Sequence, residues 1–111
     1  MNYDPYNNKE RREDNKIHMK RTIEVTVRNK VGLHARPATL FVKEAVKYKA
    51  KIKVENLTNA SQEVDARSLL NILTLGVQKG HTIRITAEGD DCQQAIEALV
   101  SLIEHNFYED E

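Results

Sequence analysis

The sequence is poor in several residue types, and each shortage excludes a class of protein. It contains one cysteine, Cys92, so neither an intrachain disulfide framework nor a zinc site built on several cysteines can form. Aromatic residues make up 5% of the chain and tryptophan is absent, which leaves few rings for stacking on nucleic-acid bases. No apolar run approaches the roughly 20 residues that span a bilayer. The N-terminus also lacks the apolar segment of a secretory signal, so we expect a soluble, cytoplasmic protein.

Charge and length narrow the choice further. The 17 basic and 17 acidic residues cancel, which removes any net attraction to nucleic acid or anionic lipid. At 111 residues, the chain has the length of one domain with a modest core. Residues 1–20 have almost no apolar positions and cannot offset their ordering entropy by burial. We expect a mobile polar extension over 1–20, a folded domain over 21–108 and an acidic tail over 109–111.

Hydrophobic periodicity divides the folded part into strands and helices. Apolar and polar residues alternate over 22–28, 51–55, 62–66 and 83–88, which predicts four short strands. Apolar residues recur at three- and four-residue spacing after residue 34, over 68–75 and after residue 91, which predicts three helices. The order β-α-β-β-α-β-α favours a two-layer α/β sandwich with helices on one sheet face. At the last helix, Asp91 and Gln94 are spaced like a capping box.

The most informative stretch, GLHARPA, runs from Gly32 to Ala38 between the first strand and the first helix. A glycine permits a tight turn, and a proline fits only the first turn of a helix, so His34 is predicted at the helix N-terminus. The backbone N–H groups of Ala35 and Arg36 would then lack intrahelical partners. The Arg36 guanidinium also suits a phosphoryl group. These groups predict a site that accepts a phosphoryl group on His34; the plainer alternative is a histidine that only caps the helix or rests on the surface.

The short helix after Ser68 is the second notable feature. Five of the eight residues over 68–75 are large and apolar, more than one sheet face can bury. We expect Ile72 to face the core, and Leu69, Leu70 and Leu73 to stay exposed as a docking surface for partners. Ser68 is a favourable N-cap. A kinase could reach it there, and a phosphate would add negative charge beside the docking surface.

The remaining histidines give no sign of a metal site. His18, His81 and His105 are scattered and lack the spacing of metal ligands. We therefore interpret them as surface residues and predict neither a metal nor a cofactor.

Taken together, these residues resemble the HPr family, the histidine-containing phosphocarriers of the phosphoenolpyruvate-dependent sugar phosphotransferase system. The GLHARPA stretch resembles the family's active-site sequence, and Ala66–Leu70 followed by Thr74–Gly76 is similar to its regulatory-serine helix. The resemblance runs from about residue 22 to residue 107. It implies an open-faced sandwich with a four-stranded antiparallel sheet and three helices on one face. It further implies a monomeric carrier with no turnover of its own.

The resemblance also assigns roles and partners. His34 would take a phosphoryl group on Nδ1 from phosphorylated enzyme I, with Arg36 assisting, and pass it to enzyme IIA domains in sugar uptake. Ser68 would be modified by an HPr kinase/phosphorylase in organisms that possess one. The acidic end of the chain is also similar to the nitrogen-regulatory branch of the family. A nitrogen-branch or purely regulatory paralogue, controlled by phosphorylation, therefore remains an alternative. An RNA-binding module of similar strand order is a second one, disfavoured by the lack of strand aromatics.

Overall fold

A computed structural model describes residues 19–109 of the chain. Its elements confirm the predicted order and end in a short 3-10 helix. They are β1 (Lys20–Thr26), α1 (Ala35–Ala45), β2 (Lys51–Asn56), β3 (Val64–Asp65), α2 (Leu69–Thr74), β4 (Thr82–Glu88), α3 (Cys92–Glu104) and the 3-10 helix (Asn106–Tyr108). The extension predicted over 1–20 lies outside the described residues except for its last two, and the tail predicted over 109–111 except for its first. Within the described range, no helix is long and apolar enough to cross a membrane.

The four strands form one antiparallel sheet in the order β1-β4-β2-β3. The central strand β4 places Ile85 opposite Ile23 of β1 and Val54 of β2. Because side chains alternate along a strand, this register puts the apolar residues of all three strands on the face that the helices cover. The structure therefore confirms the open-faced sandwich with helices on one side.

The third strand is shorter than the 62–66 predicted, since only Val64 and Asp65 pair with β2. One more step of the ladder would place Glu63 directly opposite Glu55. Like charges that face each other across a sheet are destabilising. The ladder ends at Val64, and Glu55 pairs with the Arg84 guanidinium at 2.8 Å.

The core lies between the sheet and the three helices. Its largest fully buried side chains include Phe41 of α1, Phe107 of the 3-10 helix and Leu99 of α3. The apolar face predicted for α3 is buried throughout, at Cys92, Ala95, Ile96, Leu99 and Ile103. The opposite face of the sheet is polar, and there Arg84 also bonds Glu24 at 3.0 Å.

Asp91 has a different role from the one predicted. It precedes α3, but its side chain makes no capping hydrogen bond, so the predicted capping box is wrong. Its carboxylate instead accepts hydrogen bonds from the backbone N–H groups of Lys49 and Ala50, both at 2.8 Å. The hydrogen bond from Lys49 is the main cause that lowers the pKa of Asp91 below its ordinary 3.8. The carboxylate therefore ties the loop after α1 to the start of α3.

Candidate functional site

The loop between β1 and α1 is a compact turn closed by hydrogen bonds. The N–H of Gly32 donates to the carbonyl oxygen of Asn29 at 3.2 Å, and the Asn29 amide Nδ2 donates back to the Gly32 carbonyl at 2.9 Å. Gly32 has a φ of +67°, a left-handed conformation that favours glycine. A Cβ at this position would lie 2.2 Å from the carbonyl oxygen of Val77. Only glycine therefore lets this loop rest on the turn at residues 77–81.

Two buried anchors present His34 at the surface. Before it, Leu33 is fully buried, and its N–H donates to the Val77 carbonyl at 3.0 Å. After His34, the side chains of Pro37 and Ala38 in α1 are buried. Between them His34 is half-buried, while Ala35 and Arg36 are exposed. The tip of the loop is thus held at both ends, and the side chains of His34 and Arg36 remain accessible.

His34 is the N-cap residue of α1, as predicted, with an extended backbone (φ −130°, ψ 164°). Its ring makes no capping hydrogen bond to the helix, which removes side-chain capping as its role, and acceptance of a phosphoryl group stays a prediction. No helix N–H group holds the imidazole. The ring therefore does not satisfy a backbone N–H group of the helix, which is the usual role of a side chain at the N-cap.

The two residues that follow His34 carry N–H donors and a cation. Within residues 19–109, the N–H groups of Ala35 and Arg36 meet no protein acceptor, and the Arg36 guanidinium forms no ion pair. Ala35 lies in the left-handed region (φ 50°), which costs an alanine roughly 1–2 kcal/mol. The first turn of α1 consequently departs from regular helix. Free N–H groups at a helix start attract anions, so a phosphoryl group on His34 would have unoccupied donors in the adjacent residues.

The Ser68 helix packs beside α1 and shows the predicted division of its side chains. Ser68 is the N-cap of α2, and its Oγ accepts from the N–H of Asn71 at 3.2 Å. Ile72 is fully buried, as expected. Three leucines stay exposed, with fractions of 40% for Leu69, 73% for Leu70 and 37% for Leu73. We call these three residues the leucine patch; their exposure agrees with the sequence, and docking there stays a prediction.

The interpretation of His81 as a bland surface residue is wrong. It is half-buried, and its Nδ1 accepts hydrogen bonds from the side-chain amide of Asn56 at 3.0 Å and the N–H of Gln78 at 3.2 Å. Asn56 itself is fully buried. Its place in the alternation after Ile52 and Val54 was the signal, since it puts Asn56 on the buried face of β2.

Of the other two histidines, the structure describes His105. His105 is exposed, bonds the Ser101 carbonyl through Nδ1 at 2.7 Å and stacks on Tyr108. His18 lies outside the described residues. In the described part of the chain, no group of three or more potential metal ligands comes together.

The chain thus forms an open-faced α/β sandwich with an accessible histidine at the start of its first helix. A sequence model of the family described as "PTS HPr component phosphorylation site" matches residues 21–105. That span covers most of the chain, and the chain belongs to the HPr family of the phosphotransferase system.

Three relatives illustrate the similarity. The multiphosphoryl transfer protein of Haemophilus influenzae is 51% identical over 74 residues, 67% of this chain, which span 15% of that longer protein. The phosphocarrier protein HPr of Vibrio cholerae is 43% identical over 82 residues, covering 74% of this chain and 91% of the relative. The crystal structure of HPr-C-His from Thermoanaerobacter tengcongensis superposes with a TM-score of 0.77 at 44% identity, over 82% of this chain and 99% of that one.

Proposed function

We propose that this chain is a cytoplasmic phosphocarrier that accepts a phosphoryl group on His34 from phosphorylated enzyme I. It would pass the group to the enzyme IIA domains of sugar transporters. The observation that carries the proposal is the presentation of His34: an accessible ring between two buried anchors, with no capping bond. Membership of the HPr family supports the same conclusion.

On the side of this chain, the phosphoryl transfer needs only groups that the His34 loop provides. A lone pair on the His34 ring attacks phosphorus, and the new P–N bond forms as the bond from phosphorus to the donor group of enzyme I breaks. The electron pair of the broken bond stays with that donor. Arg36 would offset the charge on the transferring oxygens, and the N–H groups of Ala35 and Arg36 would donate hydrogen bonds to those oxygens. In the second transfer, a nucleophilic group of the enzyme IIA domain attacks phosphorus, the P–N bond breaks and its electron pair returns to the His34 ring, so the chain acts as a relay.

Partners would approach across the leucine patch. An exposed apolar surface beside a reactive loop is typical of a docking site, and α2 lies against α1, the helix that His34 begins. The Ser68 hydroxyl sits at the edge of this patch and accepts a hydrogen bond from the N–H of Asn71. A phosphate on Ser68 would add about two negative charges at a helix start, where the helix tolerates them, while a docking partner would meet them directly. Phosphorylation of Ser68 would thus regulate docking without unfolding α2.

Phosphorylation by enzyme I and phosphoenolpyruvate tests the carrier role. We expect one acid-labile phosphoryl adduct on the wild-type chain and none on His34→Ala. His105→Ala is the matched control, because it removes another exposed histidine and should keep the adduct. Absence of the adduct from the wild type, or its persistence in His34→Ala, would overturn the proposal.

Competition between acceptors separates the branches of the family. We expect the phosphorylated chain to transfer to a sugar-branch enzyme IIA faster than to a nitrogen-branch one. The opposite preference would assign the chain to nitrogen regulation, and transfer to neither would indicate a purely regulatory protein.

A charge at position 68 tests the docking surface. Ser68→Asp should slow phosphoryl acceptance from enzyme I, whereas Gln94→Asp, which adds the same charge on the exposed side of α3, should not. Equal kinetics for both variants would show that enzyme I does not dock beside Ser68.

A further inference from the structure

A fully buried polar residue, Asn56, occupies the end of β2 and satisfies every hydrogen-bonding atom of its side chain. Its Oδ1 accepts from the N–H of Thr58 at 3.1 Å. Its Nδ2 donates to the carbonyl oxygen of Leu75 at 3.1 Å and to Nδ1 of His81 at 3.0 Å. The carbonyl and the N–H together fix the orientation of the amide, because each can bond only one end of it. Asn56 therefore joins the end of α2 to the side chain of His81.

The side chain of His81 is in turn hydrogen-bonded within the turn at residues 77–81. Its Nδ1 also accepts from the N–H of Gln78 at 3.2 Å. Since both of its partners are donors, Nδ1 is the unprotonated nitrogen and the ring proton lies on Nε2. The imidazole thus braces the turn from inside, and Asn56 holds the imidazole.

The braced turn supports the loop that carries His34 at both ends. At the start of the loop, Val27 donates its N–H to the His81 carbonyl at 2.8 Å and accepts from the N–H of Gly80 at 2.7 Å. At the end of the loop, Leu33 donates to the Val77 carbonyl at 3.0 Å. The residue immediately before His34 is consequently hydrogen-bonded to the turn that His81 braces.

We propose that Asn56 and His81 are positioning residues for His34. They hold the 77–81 turn, and the turn sets the place of the backbone from which the imidazole projects. This role rests on the proposed carrier function for its effect on transfer, but the brace itself is a property of the unphosphorylated chain. A displacement of about 1 Å at a reacting group can slow a transfer about a hundredfold, so a brace remote from the phosphoryl group can still control its rate.

Paired substitutions at His81 isolate the brace. His81→Leu removes the acceptor, whereas His81→Asn keeps an oxygen acceptor near the position of Nδ1. Asn56→Leu removes the donor side of the same contact. Asn59→Ala is the matched control, because Asn59 also donates to the Leu75 carbonyl at 3.1 Å but makes no bond to His81. If Asn56→Leu fails to fold, the two His81 variants still decide the question.

Amide hydrogen exchange measures the brace without any phosphoryl transfer. The Leu33 N–H reports the bond to Val77, and the Ala66 N–H, which donates to Ile52 at 2.9 Å, reports the sheet at a distance from the turn. We expect Leu33 to exchange about tenfold faster in His81→Leu, the effect of losing roughly one hydrogen bond. The Ala66 rate should not change, and His81→Asn and Asn59→Ala should resemble the wild type. Unchanged exchange at Leu33 in His81→Leu, or equal acceleration at Leu33 and Ala66, would overturn the inference.

The kinetics of phosphorylation by enzyme I provide the second measurement. His81→Leu should lower kcat about tenfold or more and leave KM for the chain unchanged, since the leucine patch is untouched. A rise in KM alone would contradict a positioning role. If the wild-type chain accepts no phosphoryl group at all, the carrier function fails, while the exchange experiment still decides whether Asn56 and His81 brace the loop.

Discussion

Replacing Gly32 by alanine tests how closely the His34 loop rests on its support. The added Cβ would lie 2.2 Å from the carbonyl oxygen of Val77 and 2.8 Å from Cα of Gln78. Both are backbone atoms, so no side-chain rotation relieves the clash. A left-handed alanine costs roughly 1–2 kcal/mol and an overpacked site about 1–3 kcal/mol. We therefore expect Gly32→Ala to lower the free energy of unfolding by about 3 kcal/mol.

Gly76→Ala provides the matched control. Gly76 has nearly the same backbone conformation, with φ +60° against +67° for Gly32, but its Cβ would meet only Asn59 Nδ2 at an ordinary 3.6 Å. We expect it to cost about 1 kcal/mol, the conformational part alone. The difference between the two variants is then the steric cost of placing a Cβ against the backbone of the 77–81 turn.

Urea unfolding followed by far-ultraviolet circular dichroism measures both values, since the chain has no tryptophan to report by fluorescence. Phosphoryl acceptance should fall in Gly32→Ala under conditions where the variant is still folded, because relief of the clash displaces Leu33 and His34. Equal losses of stability in the two variants would refute the close contact that we describe.

Three further predictions concern single side chains. Arg36→Ala should slow phosphoryl acceptance about tenfold to a hundredfold, the loss of one charged hydrogen bond, while Lys43→Ala at the other end of α1 should leave the rate unchanged. Leu70→Ser should change the free energy of unfolding by less than about 0.5 kcal/mol yet raise KM with enzyme I, whereas Ile72→Ala should cost about 2–5 kcal/mol in urea unfolding. The pKa of Asp91 in the folded chain lies below its unfolded value near 3.8. The stabilisation by the Asp91 carboxylate is therefore fully present above pH 3.8 and is lost as the pH falls through the folded-state pKa. The free energies of unfolding of the wild type and of Asp91→Asn should accordingly converge in acid titrations.

Local patterns predicted most of the secondary structure because their causes are local. Alternation of apolar residues marked β1, β2 and β4, and three- and four-residue spacing marked α1 and α3. A strand or helix buries one face, and the residues of that face recur at a fixed spacing along the element's own sequence. β3 was overestimated because its end depends on Glu63 and Glu55, which meet only when two strands pair.

The loop that carries His34 was also predictable, and for the same reason. A turn glycine, a first-turn proline and an intervening histidine determine by themselves that His34 begins α1. The burial of Ile72 and the exposure of the leucine patch followed from the excess of apolar residues in one short helix. These features depend on residues a few positions apart.

Long-range hydrogen bonds were decided by the tertiary structure alone. Asn56 and His81 are 25 residues apart, and Asp91 reaches Ala50 across 41 residues. A polar side chain can cap a helix, lie at the surface or form a buried hydrogen bond, and the residue type alone does not distinguish these three roles. Burial without a partner is costly for a polar group, and for Asn56 and His81 only the packing of β2, α2 and the 77–81 turn determines which partner lies within reach. The sequence thus determined by itself where the imidazole stands, and the tertiary structure decided what holds it there.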